Sequence, residues 1–379
     1  MNIDSSLKLD AIASLFDTRA DFVNAHPYGS GHINDTFCAY YDQAGLRIRY
    51  IHQRINHNVF TDPPALMTNI KRVTEHAQAL LSEGNHPEAF RRTLSLIPAI
   101  SGEPYAQDST GNYWRTYPFI ERARTYDQIQ STDQAEAAAK AFGEFQKHAA
   151  TLPGERLTET IPSFHHTPKR YERLLEAIAN DKVNRAGSVK EEILFVEKRV
   201  QDCSRVVKLM ESGEIPERVT HNDTKLNNVM IDDVSGEGIC VIDLDTVMPG
   251  SVLYDFGDMV RTATPATAED EVDTSKIHMQ MPMFEALLRG YLDSARAFLN
   301  DAEIQHLAFS GKLLSLECGI RFLTDHLEGD HYFKIKRKNH NLDRCRSQFA
   351  LVKSIESQQS EMETLVSKYI YNSKPANAL

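Results

Sequence analysis

Long apolar runs are missing from this sequence. None approaches the roughly 18 consecutive apolar residues that a membrane-spanning helix requires, so we expect no membrane partner. The residues that follow Met1 (Asn-Ile-Asp-Ser-Ser) also lack the basic and apolar segments of a secretory signal peptide. A cytoplasmic location is therefore expected.

Cysteine and positive charge are also scarce. The five cysteines are odd in number and scattered, at Cys38, Cys203, Cys240, Cys318 and Cys345. This spacing excludes a disulfide framework or a zinc motif and favours a reducing compartment. The net charge is −11, which argues against general affinity for nucleic acid. An anionic ligand would then need local cationic side chains or a metal ion.

No internal repeat or low-complexity tract is present, and the composition is that of an ordinary globular protein, 41% hydrophobic and 25% charged. At 379 residues the chain is long for one core, so two lobes are expected.

One stretch, residues 220–245, carries polar groups in an order that points to chemistry. His221 and Asn222 precede Asp223, Asn228 follows five residues after that aspartate, and Asp243 ends a later apolar run. A kinase-type phosphotransferase needs one carboxylate to accept the proton of the substrate hydroxyl. It also needs an amide and a second carboxylate to hold Mg²⁺. We therefore predict Asp223 as the catalytic base and Asn228 and Asp243 as the metal ligands.

The spacing within this stretch predicts a β-hairpin. Residues 229–231 and 239–242 are short apolar runs, and the spacer between them is rich in aspartate, serine and glycine. A hairpin would return the chain so that Asp243 emerges beside Asn228. Both side chains could then reach one cation through oxygen.

A second motif nearby is given a different role. Asp255, Phe256 and Gly257 spell the magnesium motif of protein kinases, but Asp255 lies 32 residues beyond Asp223, whereas Asp243 lies 20 beyond it. We predict instead that Asp255 and Asp258 begin a helix and brace the catalytic loop, since acidic residues suit helix starts.

The first hundred residues have the pattern of a nucleotide-binding sheet. Gly29, Ser30 and Gly31 lie between two predicted strands, where glycine lets backbone amides approach phosphates. Residues 46–55 predict a strand that lacks a lysine. Arg54 is the candidate for the phosphate-pairing cation, with Gln53 as the alternative if the strand phase differs.

Further strands are predicted at 93–99 and 112–120, and a helix opens at Pro63 and runs to about residue 83. Residues 118–122 are predicted to form the hinge that binds adenine, with Phe119 and Glu121 contributing. Long helices are predicted after residue 125. The resulting fold is α+β, with an N-terminal nucleotide-binding lobe over 1–121 and a helical lobe over 122–379. Residues 321–334 are read as a helix that mixes charged and aromatic groups.

Taken together, these segments resemble the aminoglycoside phosphotransferase-like family of small-molecule kinases, and most closely its N-acetylhexosamine 1-kinase branch. The segments that carry the resemblance are GSGHINDTF (29–37), YIHQRINHNVF (50–60), THNDTKLNN (220–228), CVIDLDTVMPG (240–250), YDFGD (254–258) and RFLTDHLEGDHYFK (321–334).

The resemblance implies a bilobal protein-kinase-like fold, with a small antiparallel-sheet N-lobe and a larger helical C-lobe. It also implies ATP with Mg²⁺, and phosphorylation of the anomeric hydroxyl of N-acetylglucosamine or N-acetylgalactosamine. It assigns sugar contacts to Arg321 and Tyr332, and His32 would also reach the sugar. Asp325 is a suitable further contact, because a sugar pocket needs side chains that make paired hydrogen bonds.

Two other readings stay open from the sequence. The acceptor could be another hydroxyl, on an aminoglycoside, choline, homoserine or a different sugar. The chain could also be a catalytically silent binding module, since Arg54 stands where a kinase has lysine. The expected partner is a small sugar, without nucleic acid, and the expected state is a monomer or a weak homodimer.

Overall fold

The first part of the chain folds into a five-stranded sheet. The computed structural model describes residues 9–29, 31 and 33–371. A short helix, α1 (Leu9–Ala13), precedes the strands β1 Asp21–Pro27, β2 Asp35–Gln43, β3 Leu46–Arg54, β4 Ala106–Gln107 and β5 Tyr113–Pro118. They lie in the order β1-β2-β3-β5-β4, and every neighbouring pair is antiparallel.

Of the strands predicted at 46–55, 93–99 and 112–120, two are confirmed. β3 matches the prediction for 46–55 and β5 that for 112–120. The prediction for 93–99 is wrong, because this segment forms only an isolated bridge between Ala99 and Phe16. Ile97 donates its N–H to the carbonyl of Thr116 at 2.9 Å. The next residue, Pro98, has no N–H with which to continue a ladder.

One face of the sheet is closed by α1 and by a buried histidine. His52 on β3 is fully buried, with Nε2 2.8 Å from the hydroxyl of Tyr41 and Nδ1 2.7 Å from Oγ1 of Thr116. These two hydrogen bonds satisfy both ring nitrogens of a histidine in a fully buried position. Because strand side chains alternate, His52 fixes the phase of β3: its neighbour Gln53 lies on the opposite face.

A long helix, α2 (Pro63–Glu83), follows the sheet and ties it to the rest of the chain. Its start is set by Asp62, which accepts a hydrogen bond from the N–H of Ala65 at 3.1 Å, and by the two prolines in the first turn. Asn69 on this helix donates to the carbonyls of Thr158 and Val247. The predicted helix is confirmed at both ends.

The remainder is mainly helical, with short strands around the catalytic loop. The helices are α3 Thr132–Ala149, α4 Thr167–Asn180, α5 Lys190–Glu197, α6 Val200–Cys203, α7 Arg205–Glu211, α8 Val252–Ala263, α9 Met281–Ala295, α10 Asp301–Gln305, α11 Leu307–Glu328 and α12 His340–Tyr371. The strands are β6 Ala123–Arg124, β7 Arg218–Thr220, β8 Val229–Asp232, β9 Gly238–Val241 and β10 Met248–Gly250. This arrangement confirms the α+β class, with an antiparallel sheet and a larger helical part.

Close packing of α8 on α11 accounts for the Phe-Gly of the apparent kinase motif. Phe256 is fully buried, with its ring against Phe284 and Tyr291. A Cβ atom on Gly257 would lie 2.5 Å from the carbonyl oxygen of Ser310 on α11, so any larger residue would push the helices apart. This glycine serves helix packing.

Residue 121, where the lobe boundary is predicted, lies between β5 and β6, and the division into two lobes stays a prediction. Among the described residues, no helix combines the length and apolarity needed to cross a bilayer.

Candidate active site

The predicted hairpin is formed by β8 and β9 and is confirmed. Val229 pairs with Val241 in an antiparallel register, and the N–H of Ile242 donates to the carbonyl of Asn228 at 2.8 Å. The pairing therefore brings Asn228, just before β8, beside Asp243, which follows Ile242.

The predicted base, Asp223, lies at the head of this hairpin. Asn228 donates from Nδ2 to the backbone carbonyl and Oδ2 of Asp223, at 2.9 and 3.3 Å. The Nζ atom of Lys225 lies 3.2 Å from the same Oδ2. Burial by itself raises the pKa of Asp223, but the charge of Lys225, with smaller contributions from other cationic groups, outweighs it and lowers the pKa. The carboxylate is thus ionised at neutral pH and 28% exposed, as a proton acceptor must be.

Lys225 was missed by the sequence reasoning although it lies inside the motif, two residues after Asp223. The spacing argument covered the proton acceptor and the metal ligands but not the positive charges that phosphates need.

Asp255 braces the loop, as predicted. It is fully buried in the first turn of α8 and accepts hydrogen bonds from the N–H groups of His221 and Asn222, at 2.9 and 2.7 Å, and from Nε2 of Gln146 at 2.6 Å. The same role predicted for Asp258 is not observed, because that side chain pairs instead with Arg261 on its own helix.

Asp243 has the surroundings of a cation ligand. Its backbone has φ 60°, in the left-handed region that few residues other than glycine, asparagine and aspartate occupy. Burial, followed by the charges of Asp245 and Asp223, raises the pKa of Asp243 to about 6. The negative charges of Asp245 and Asp223 disfavour an ionised Asp243, and a divalent cation would relieve this repulsion.

The residues present fit Mg²⁺. In the described part of the chain, no three histidine, cysteine, aspartate or glutamate side chains form a complete cage. Mg²⁺ commonly takes one or two protein ligands and completes its shell with water and substrate phosphates. Asn228 turns its Nδ2 toward Asp223, which leaves Oδ1 for a cation, and Asp243 supplies the carboxylate.

The strand phase corrects the prediction for Arg54. Arg54 lies on the same face of β3 as His52 and pairs with Asp35, with NH2 2.5 Å from Oδ2. Gln53, the alternative, faces the helical part and accepts a hydrogen bond from Nε of Arg115 at 3.0 Å. Arg54 is therefore not the cation that faces the cleft.

Arg115 on β5 is the cation on the Gln53 side of the sheet. It is 1% exposed and forms a buried ion pair with Asp245, two residues after Asp243. Asp245 also accepts a hydrogen bond from Nδ2 of Asn34 at 2.5 Å. The pair joins the sheet to the metal-ligand segment. Sequence spacing could not reveal it, since 130 positions separate Arg115 from Asp245.

The glycine loop leads into this network. Gly29 has φ 82°, and a Cβ atom on either Gly29 or Gly31 would meet nothing within 4 Å. The backbone here is free of neighbouring atoms on the side where a Cβ atom would lie, and its role in phosphate binding stays a prediction. Ser30 and His32, predicted to contact nucleotide and sugar, lie outside the described residues.

At the predicted hinge, Phe119 and Glu121 are both in contact with Arg49 of β3. The Arg49 guanidinium lies 3.7 Å from the ring centroid of Phe119 and forms a two-point ion pair with Glu121. The Phe119 N–H donates to the carbonyl of Arg49 at 3.0 Å. The roles of Phe119 and Glu121 in adenine binding stay predictions.

Arg321, a predicted acceptor contact, lies on α11 among aromatic rings. Its guanidinium carbon is 5.4 Å from the ring centroid of Phe164, 6.0 Å from Tyr332 and 5.5 Å from Phe333. A second guanidinium, that of Arg170, donates to the carbonyl of Phe164 at 2.6 Å, and burial followed by the charge of Arg321 lowers the pKa of Arg170. The surroundings of Arg321 are therefore both aromatic and cationic.

The prediction of one helix over 321–334 is wrong. α11 ends at Glu328 and Gly329 follows with φ 110°, the left-handed cap that often terminates a helix. Tyr332 lies on the loop beyond and is exposed.

Asp325, predicted to contact substrate, instead anchors this loop. Its buried carboxylate accepts from the N–H groups of His331, Tyr332 and Phe333, at 2.9, 2.8 and 2.9 Å, and from Nδ2 of Asn341 at 2.8 Å. These four hydrogen bonds occupy the carboxylate within the protein. Asp325 therefore holds the loop with Tyr332 in place rather than facing a substrate.

Solved structures share this fold. An aminoglycoside phosphotransferase from Alicyclobacillus acidocaldarius subsp. acidocaldarius DSM 446 superposes with a TM-score of 0.60 at 11% identity, covering 94% of this chain and 95% of its own. A microcompartment-associated aminopropanol kinase gives 0.56 at 13% identity, over 94% and 98%. A choline kinase from Cryptosporidium parvum Iowa II gives 0.52 at 14% identity, over 92% and 93%.

Identities this low establish the fold alone, and the family rests on a separate match. The model of the phosphotransferase enzyme family matches residues 24–296, well over half of the 379 residues. The matched range contains nearly all of the sheet, from within β1, together with Asp223, Asn228 and Asp243, but not Arg321. The chain belongs to the phosphotransferase enzyme family.

Proposed function

We propose that this protein transfers the γ-phosphoryl group of ATP, with Mg²⁺, to the anomeric hydroxyl of an N-acetylhexosamine. The observation that carries the proposal is the ionised Asp223 carboxylate at the head of the hairpin, beside Asn228 and close to Asp243. The family supports a phosphotransferase, and the sequence resemblance supports the sugar and the position of transfer.

In this reaction Asp223 orients the C1 hydroxyl and receives its proton. The sugar oxygen forms a bond to the γ-phosphorus, the bond from that phosphorus to the bridging oxygen breaks, and ADP leaves. Phosphoryl transfer requires little covalent chemistry from the protein. A weakly basic carboxylate, such as Asp223 with its lowered pKa, therefore suffices if it accepts the proton late in the transfer.

Positive charge near the phosphates would come from Lys225 and the buried Arg115. Asn228 and Asp243 would hold Mg²⁺, which neutralises charge on the phosphate oxygens when bound. The Asp245–Arg115 ion pair and the Asn34 hydrogen bond to Asp245 would keep the glycine loop and the metal ligands in register.

The acceptor side favours an uncharged or anionic molecule. Arg321 and Arg170 bring two guanidinium groups close together, which would repel the ammonium groups of choline or an aminoglycoside. An acetamido sugar offers carbonyl and hydroxyl oxygens to the donors of Arg321 and an apolar ring face to Phe164 or Tyr332.

An acceptor screen tests the proposal. Purified protein with ATP and Mg²⁺ would be assayed for ADP release with N-acetylglucosamine, N-acetylgalactosamine, glucosamine, glucose, an aminoglycoside, choline and homoserine. We expect turnover with the acetamido sugars and little with the cationic compounds. Good turnover of an aminoglycoside or an amino alcohol, with none of any acetamido sugar, would leave only the family assignment.

A variant pair tests the acceptor contact. Arg321→Ala should raise the KM for sugar far more than that for ATP, because losing a charged hydrogen bond costs about 1.5–3 kcal/mol, or roughly ten- to more than a hundredfold. Arg173→Ala is the matched control, since Arg173 is an exposed arginine on α4 that pairs with Glu328. Equal KM values in the two variants would remove Arg321 from the acceptor site.

A further inference from the structure

A buried histidine–carboxylate pair lies directly behind the catalytic loop. His165, in the turn before α4, has Nδ1 2.8 Å from Oε1 of Glu317 and Nε2 3.0 Å from the carbonyl oxygen of Asn222. The other carboxylate oxygen of Glu317, which lies on α11, accepts from Oγ1 of Thr167 at 2.5 Å. All four residues are buried.

The hydrogen-bond partners of His165 determine its protonation. The Asn222 carbonyl oxygen can only accept, and so can an ionised carboxylate. Both ring nitrogens must then donate, whereas a neutral imidazole has one donor and one acceptor nitrogen. An ionised Glu317 satisfies this arrangement, because each of its oxygens then faces one donor, from His165 and from Thr167.

We propose that His165 is a positioning residue: as an imidazolium held by Glu317, it fixes the carbonyl of Asn222 and through it the direction of Asp223. The proposal rests on the proposed function in taking Asp223 as the base. The Asn222 carbonyl belongs to the planar peptide that leads into Asp223, so its orientation sets how the base projects. Asn222 has φ 64°, a left-handed conformation that persists only when neighbouring groups hold it.

Two buried groups hold this strained residue from opposite sides. Asp255 accepts a hydrogen bond from the Asn222 N–H at 2.7 Å, and Nε2 of His165 donates to the Asn222 carbonyl at 3.0 Å. A charge-assisted hydrogen bond is stronger than a neutral one, so a charged donor is suited to holding the carbonyl. Removing the charge should loosen the base without removing it.

The charged surroundings support a protonated ring. Glu317 and, one helical turn later, Arg321 lie on α11, while Asp258 and Tyr254 lie on α8, with the Tyr254 ring 5.1 Å from that of His165. Burial by itself lowers the pKa of His165, but Glu317, and to a smaller extent Asp258, outweigh it and raise the pKa. Since the folded-state pKa is raised, the proton is held to a higher pH than in an ordinary histidine and is lost as pH rises through that pKa.

The protonation state can be measured without substrate. In long-range proton–nitrogen NMR spectra of the full chain labelled with nitrogen-15 histidine, both ring nitrogens of His165 should have imidazolium shifts at neutral pH. The signal would be assigned by its loss in His165→Gln, or in His165→Asn if the first variant does not fold. One protonated and one unprotonated ring nitrogen of His165, the pattern of a neutral imidazole, would overturn the proposal.

Kinetics test the positioning role. Glutamine can donate to the Asn222 carbonyl but carries no charge, so His165→Gln should lower kcat by about tenfold or more while both KM values stay within about threefold. The wild-type kcat should decline at alkaline pH as His165 loses its proton. The His165→Gln variant should lack this decline. His166→Asn is the control, because residue 166 caps α4 and asparagine suits that position.

A wild-type kcat in His165→Gln, or a loss confined to KM, would refute the positioning role. If the screen identifies another acceptor, the same kinetics apply with that acceptor. Failure of the sugar assignment would thus be distinguishable from failure of this proposal.

Discussion

Replacing Asp223 by asparagine removes the proton acceptor while leaving the loop almost unchanged in shape. The asparagine oxygen can still accept from Nδ2 of Asn228, which is 3.3 Å from Oδ2 of Asp223. The lost ion pair with Lys225 is partly exposed on both sides, at 28% and 43%, so it should cost less than about 1 kcal/mol of stability. Turnover should fall by about a hundredfold to ten-thousandfold, the range that loss of a general base produces.

Nucleotide binding should be retained in this variant, or become slightly tighter. The Asp223 carboxylate is one of the charges that raise the pKa of Asp243, so removing it makes the ionised form of Asp243, which a cation requires, easier to reach.

The assay combines ADP release with calorimetric titration of magnesium–ATP into the folded variant. Asp233→Asn is the matched control, since Asp233 lies on the exposed turn of the same hairpin and pairs with Arg124. Turnover within about threefold of wild type in Asp223→Asn, outside the range expected for loss of a base, would refute its role.

Three further predictions concern the metal ligand, the buried cation and the buried histidine. Asp243→Ala should abolish magnesium-dependent nucleotide binding in calorimetry, whereas Asp255→Ala should bind nucleotide but melt at lower temperature; the reverse result would exchange their roles. Arg115→Gln should lower the free energy of unfolding in urea by about 3–5 kcal/mol, because it leaves a buried carboxylate unpaired, and Arg54→Gln by under about 1 kcal/mol; equal losses would contradict the strand phase. Burial lowers the pKa of His52 from 6.5 to about 4, so wild-type stability should be lost as pH falls through that window, and less so in His52→Gln. A difference between these two proteins that did not change with pH would contradict this.

The catalytic hairpin could be predicted from sequence because its chemistry is local. Asp223, Asn228 and Asp243 lie within 21 residues, and the two apolar runs that bring them together sit between them. Hairpin register follows from turn and strand pattern, so the adjacency of Asn228 and Asp243 required no knowledge of distant parts of the chain. The rejection of Asp255 as a metal ligand followed from the same spacing, and its place in α8 agrees.

Groups that are far apart in the sequence but in contact in the fold could not be predicted in this way. Glu317 reaches His165 from 152 positions away, and Asp245 reaches Arg115 from 130. Arg54 was misassigned because a shift of one residue along a strand exchanges its two faces. The phase is fixed by the buried His52, whose partners Tyr41 and Thr116 lie on neighbouring strands.

The end of α11 was predicted wrongly for a different reason. Gly329 was a readable signal, since glycine frequently follows the last helical residue, but the charged and aromatic residues around it were read as one helical surface. Four donors converge on Asp325 only because the chain turns there.

The position of the phosphate in the product tests the central claim most directly. The protein would be incubated with ATP, Mg²⁺ and N-acetylglucosamine, and the product examined by phosphorus NMR with coupling to the sugar protons. The account predicts one new phosphate ester, coupled to the proton on C1 and hydrolysed in mild acid. A phosphate on C6, or no sugar phosphate while another acceptor is phosphorylated, would contradict it.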